Sequence, residues 1–250
     1  MPELNIIAGP NGAGKSSFSR FLSFPDALIF DPDLETKKIS ARYPDINDDA
    51  VEAELTRVYE KQEKKALAGY LNFTIETNLR NDYVIKRAER FKSNGYAINL
   101  IFFLLPTIAD SIDRVRLRVR NKGHNVDIES IKINFEESYK NAIKFANRFD
   151  NIMIMDGSST SQLINAPRPI AIFKENGHLF IDKQAPEWSK TFIVEMQSHS
   201  KAPKKADEKT DTDKGIVRIR RHSAKSPDPQ KIRKTIAAIS RKRPGKRRGR

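Results

Sequence analysis

Short apolar runs alternate with longer stretches in which apolar residues recur every three or four positions. Leu4–Ala8, Ala27–Phe30, Asn72–Glu76, Ala97–Leu104 and Ile152–Asp156 read as strands. Between them, Val51, Leu55, Val58 and Tyr59 sit at helical spacing inside Asp48–Leu67, and Ala68-Gly69 marks a stop. Further helices are predicted over Ser16–Leu22, Asp82–Lys92, Ile108–Arg120 and Ile128–Ala146. This alternation predicts an α/β fold with a mostly parallel sheet flanked by helices. Pro169–Phe173 and His178–Ile181, around Glu175-Asn176-Gly177, read as a small hairpin, and Pro186–Gln197 as a last helix. From about Ser200 the periodic pattern gives way to Lys, Arg, Ser, Pro and Asp, a composition expected to be disordered. Within it, Ile232, Ile236 and Ile239 make Asp228–Arg241 a segment that can fold on a partner.

Charge sharpens that boundary. From Lys201 to Arg250 there are 19 lysines and arginines against 5 acidic residues, so this tail carries +14, the whole net charge of the chain. Residues 1–200 are neutral, and the basic character is no argument that the folded part binds nucleic acid. The chain has no cysteine, which excludes disulfides and thiolate metal sites. The longest apolar stretch, Leu100–Leu105, is too short for a transmembrane segment, so a cytoplasmic protein is expected.

After the first predicted strand come Gly9-Pro10-Asn11-Gly12-Ala13-Gly14-Lys15-Ser16, a full match to the phosphate-loop template G-x-x-x-x-G-K-[ST], with Ser17 next in line as a nucleotide-binding residue at the helix start. Such a loop turns backbone N–H groups onto phosphates, brings Lys15 to the β/γ-phosphates of ATP and offers the Ser16 hydroxyl to Mg2+. Transporter ATPases share this loop, but no Leu-Ser-Gly-Gly-Gln-like signature or strand-terminal Asp-Glu pair accompanies it. Asp156 precedes Gly157-Ser158 and reads as a turn residue.

A phosphoryl-transfer enzyme also needs a group to orient or deprotonate the acceptor, positive charge on the moving phosphoryl, and a closing element. Asp31-Pro32-Asp33 follows the second strand, where either carboxylate can face an acceptor or simply cap a helix. The third strand ends in Glu76-Thr77-Asn78-Leu79-Arg80, where Glu76 and Thr77 suit a substrate and Arg80 a phosphate. Arg114, Arg116, Arg118 and Arg120 run into Lys122-Gly123-His124, the pattern of a basic lid in which Lys122 and His124 meet the nucleotide.

The phosphate loop, Phe30-Asp31-Pro32-Asp33, Ile75-Glu76-Thr77 and above all Asp113-Arg114-Val115 through Arg118-Val119 to Lys122-Gly123-His124-Asn125-Val126 resemble the zeta toxin family of bacterial kinases over Leu4–Asp156. The resemblance implies ATP-dependent phosphorylation of a hydroxyl on UDP-N-acetylglucosamine or a related nucleotide-sugar substrate, and a small antitoxin protein that blocks the nucleotide site. It makes Asp33 the catalytic carboxylate, Glu76 a substrate-side carboxylate and Arg118 a phosphate-contacting lid arginine. Where relatives carry an arginine on the following helix, this chain has Lys132 and Asn134. Residues 1–198 are thus expected to form a P-loop kinase domain, hairpin included, and 199–250 a basic tail. The tail keeps two other readings open, a polynucleotide 5′-hydroxyl kinase and a P-loop ATPase making nonspecific nucleic-acid contact through Arg241-Lys242-Arg243 and Lys246-Arg247-Arg248.

Overall fold

A computed structural model describes residues 1–121, 125–158 and 167–201. The expectations for Lys122, His124 and the tail beyond Lys201 lie outside the described residues. The protein is α/β: β1 (Glu3–Ala8), β2 (Leu28–Phe30), β3 (Phe73–Thr77), β4 (Ala97–Leu104) and β5 (Asn151–Asp156) are joined by β6 (Arg168–Lys174) and β7 (Leu179–Ile181) in one sheet of order β2-β3-β1-β4-β5-β6-β7. The first five strands run parallel and the last two antiparallel. The hairpin therefore extends the main sheet through the β5–β6 ladder.

The helices are α1 (Lys15–Leu22), α2 (Pro32–Arg42), α3 (Asp48–Gly69), α4 (Tyr83–Ser93), α5 (Ile108–Arg120), α6 (Ile128–Lys144) and α7 (Lys190–His199). α2 is an addition to the pattern read from sequence. Only Ile39 of its residues is buried, so it lacks an apolar stripe and rests on end chemistry: Asp31 caps it, Pro32 starts it and Asp33 and Glu35 fill its first turn. α3 outruns its expected stop, because Tyr70, at φ 50°, takes the left-handed closing conformation usually given to glycine. Ile128–Ala146 ends earlier as helix, at Lys144, with a 3-10 turn over Ala146–Arg148. The last helix starts later, after a 3-10 turn at Glu187–Ser189.

A large apolar core lies on one side of the sheet, where Phe30, Tyr59, Phe73, Phe91 and Tyr96 form a continuous aromatic row with centroids 5.0–6.1 Å apart. Ile7, Ala13, Ile101, Phe103, Leu105 and Met155 make a smaller cluster beneath the phosphate loop. The loop thus rests on a packed base, with Ala13 fully buried.

Candidate active site

Parallel pairing brings three strand ends to one rim, since Ala8 stands beside Thr77 and Phe30 beside Ile75. There an open cleft of about 720 Å³ is lined by Asn11, Gly12, Gly14, Lys15, Ser16 and Ser17 of the loop. Asp31, Pro32 and Asp33 face them from the β2–α2 junction, and Glu76, Thr77 and Asn78 from β3. Phe18 of α1 and Arg114, Leu117, Arg118 and Asn121 close the remaining side. Gly9, Pro10 and Ala13 do not line the cleft; they are buried under the loop.

The loop geometry follows from its glycines at two points. Gly12 has φ +75°, and a Cβ there would stand 2.8 Å from the Arg114 Cβ. At Gly157, just past β5, a Cβ would stand 2.5 Å from the Leu104 carbonyl oxygen and 3.0 Å from that of Ala13. Gly14 caps α1 with no side chain to occupy its first amides; Ser17 N donates to Gly14 O at 3.1 Å, and the amides ahead of it face the anion position of a helix start.

Asn11 is held from behind. Ser111 Oγ donates to its carbonyl at 2.6 Å and Asn134 Nδ2 to its Oδ1 at 2.9 Å, so Asn134 fastens the loop from α6. Lys132, on the same helix, pairs with Glu129 on the surface.

Lys15 Nζ donates to Gly9 O at 2.7 Å, Pro10 O at 3.0 Å and Asn78 Oδ1 at 2.8 Å. Burial pulls its pKa down to about 8, with the Arg118 charge adding to the fall while Glu76, Asp33 and Asp31 oppose it. A half-buried ammonium lining the cleft is well suited to bind polyphosphate.

Ser16 Oγ donates to Glu76 Oε2 at 2.8 Å, and the buried Glu76 Oε1 has no hydrogen bond within normal distance among the described residues. Burial pushes the Glu76 carboxyl up, and Asp31 adds to this, against the Ser19 and Ser16 hydroxyls and Lys15. These adjacent hard oxygens fit a small divalent cation such as Mg2+. Among the described residues no group of three or more His, Cys, Asp or Glu is placed to hold a metal by itself, so most of such a cation's shell would come from phosphate and water oxygens.

The two aspartates after β2 stand in different settings. Asp31 Oδ1 accepts from Leu34 N at 3.2 Å as the α2 cap; burial pushes its carboxyl up, against the Leu34 N–H. Asp33 is exposed on the first turn of α2, facing the cleft, and makes no side-chain hydrogen bond among the described residues. Thr77 Oγ1 accepts from Leu79 N at 2.9 Å. Arg80 does not reach the cleft: Leu79, at φ 53°, turns its own side chain into the core, and Arg80 is left exposed. Its expected phosphate contact is not part of this site.

Arg118 lines the cleft one helical turn after Arg114. Arg114, not among the expected ligands, donates to Gly157 O at 2.6 Å and Ser158 O at 2.8 Å, tying α5 to the turn beyond β5. The i,i+4 spacing of Arg114 and Arg118 was visible in the arginine row and would have placed both on one face. Asp156 Oδ1 accepts from Ser158 N and Oγ, as a turn residue does.

A phosphate loop on the central strand of a mostly parallel sheet, facing carboxylates across a cleft roofed by a basic helix, defines a P-loop kinase, a phosphotransferase. The chain belongs to the zeta toxin family, whose model matches residues 1–168, about two thirds of its length. It is 22% identical over 130 residues to an uncharacterised protein of Haemophilus influenzae, covering 52% of this chain and 90% of that one. Its fold is similar to the AvrRxo1-ORF1:ORF2 structure with ATP, with a TM-score of 0.54 at 12% identity over 83% of this chain and 66% of that one. The PezAT toxin-antitoxin structure of Streptococcus pneumoniae has a TM-score of 0.49 at 17% identity, covering 80% of this chain and 78% of that one. Among the described residues no helix is long and apolar enough to cross a membrane.

Proposed function

We propose that the protein transfers the γ-phosphoryl group of ATP to a hydroxyl of UDP-N-acetylglucosamine or a related nucleotide sugar. The observation that carries this reading is one cleft holding Lys15, the Ser16–Glu76 pair, Asp33 and Arg118. Lys15 binds β/γ-phosphate oxygens, and Ser16 with Glu76 would hold Mg2+. When bound, that ion neutralises phosphate charge. Asp33 orients the acceptor and takes its proton as the oxygen attacks the γ-phosphorus; the β–γ bridging P–O bond breaks and ADP leaves. Arg118 neutralises charge on the moving group. Thr77 and Asp31 shape the acceptor side. Family membership supports a small antitoxin as partner, and the mouth of the same cleft is where a blocking partner acts.

Radiolabelled ATP offered with nucleotide sugars and 5′-hydroxyl oligonucleotides tests the acceptor. Label in UDP-N-acetylglucosamine or a close analogue, lost in Lys15→Ala, is expected. ATP hydrolysis with every sugar unlabelled would sink the proposal, and label in oligonucleotides would replace it with a polynucleotide acceptor.

A further inference from the structure

An ammonium group has three protons to donate, and Lys15 Nζ spends them on Gly9 O, Pro10 O and Asn78 Oδ1. While all three bonds stand, none is left for a phosphate. Two of the acceptors are carbonyls of the loop itself, and that of Pro10 also accepts from Ala13 N at 3.3 Å. The third is a side chain on the opposite wall of the cleft, two residues after Glu76. Asn78 is therefore the partner free to leave without unfolding the loop.

The strand end does not need this bond to stay in place. Ala8 and Thr77 are paired in the β1–β3 ladder, Thr77 Oγ1 accepts from Leu79 N at 2.9 Å, and Asn141 Nδ2 donates to Leu79 O at 2.9 Å. We propose that Asn78 is a positioning residue that latches Lys15 back into the loop and releases it when a polyphosphate arrives. The inference rests on the kinase reading for the identity of the arriving ligand. It makes the latched state a tax on affinity, levied on any nucleotide whose phosphates must recruit Lys15.

The test is calorimetric binding of MgATP and AMP to the full chain without any acceptor, for the parent, Asn78→Ala and Asn78→Asp. Removing a hydrogen bond to a charged group should tighten MgATP binding by about tenfold or more in Asn78→Ala. The same variant should leave AMP affinity within about twofold, because AMP does not recruit Lys15. Asn78→Asp keeps the shape and places a carboxylate on the ammonium, so MgATP binding should weaken by about tenfold. A merely structural tie predicts the opposite sign for Asn78→Ala, and weakened or unchanged MgATP binding there overturns the latch. If Asn78→Ala does not fold, unchanged or tighter binding in Asn78→Asp overturns it instead. Because no acceptor is present, failure of the latch leaves acceptor phosphorylation standing, and absence of phosphoryl transfer leaves the latch measurable.

Discussion

Burial acts on the two charged residues at the heart of the cleft in a mutually useful way, disfavouring charge on Lys15 and on Glu76 until an ion or phosphate joins them. Glu76→Gln should keep the Ser16 contact while removing the negative charge. The Mg2+ concentration for half-maximal activity should then rise by about tenfold or more, as titration of activity against Mg2+ will show. Gly12→Ala forces a Cβ to 2.8 Å from Arg114 at a left-handed φ, so ATP binding should be lost while the fold persists, checked by calorimetry beside circular dichroism. At this scale the loop was legible because phosphate chemistry fixes both residue types and spacing. Asn78 and Arg114 were not singled out, because their importance depends on which backbone atoms they meet across the fold, and Leu79's left-handed turn, which sends Arg80 outward, leaves no mark in composition.

Helices and strands with a strong apolar period were read to within a few residues, whereas α2 was not, since one buried residue makes no stripe. The base of the sheet has its own device. Asp150, between α6 and β5, accepts from Lys92 and Lys201 Nζ at 2.6 Å each and from Ile98 N at 2.8 Å. Burial pushes its carboxyl up, but the bonds from Lys201, Lys92 and Ile98 overcome this and hold it near a pKa of about 2 against an ordinary 3.8. A depressed carboxylate stabilises the fold above its unfolded value and ceases to do so as pH falls from about 4 toward 2. The contribution, discounted for partial solvent access, is about 1–2 kcal/mol. Urea unfolding should find Asp150→Asn less stable than the parent by that amount at pH 7, with the gap closing from about pH 4 down to about pH 2. An unchanged gap across this range would remove Asp150 as its source.

For the whole molecule, the division into a neutral body and a basic tail was plain from charge alone, while the described structure ends at Lys201, whose ammonium pairs with Asp150. Cutting after Lys201 rather than before it spares that ion pair. Phosphoryl transfer by the shortened chain should stay within about twofold of the parent, and any retention on nucleic acid, with its steep salt dependence, should vanish. Filter binding across a salt series reads the second effect. Retention that survives the cut would move nucleic-acid contact onto the body.

The central claim is that the cleft is a kinase site in which Asp33 acts on the acceptor while the loop binds the donor. Single-turnover transfer from MgATP to UDP-N-acetylglucosamine in Asp33→Asn, with MgATP affinity measured on the same sample, tests it most directly. The account predicts transfer slowed by about a hundredfold or more with MgATP affinity within about twofold of the parent. Transfer at the parent's rate, or a loss explained entirely by weaker MgATP binding, would contradict it.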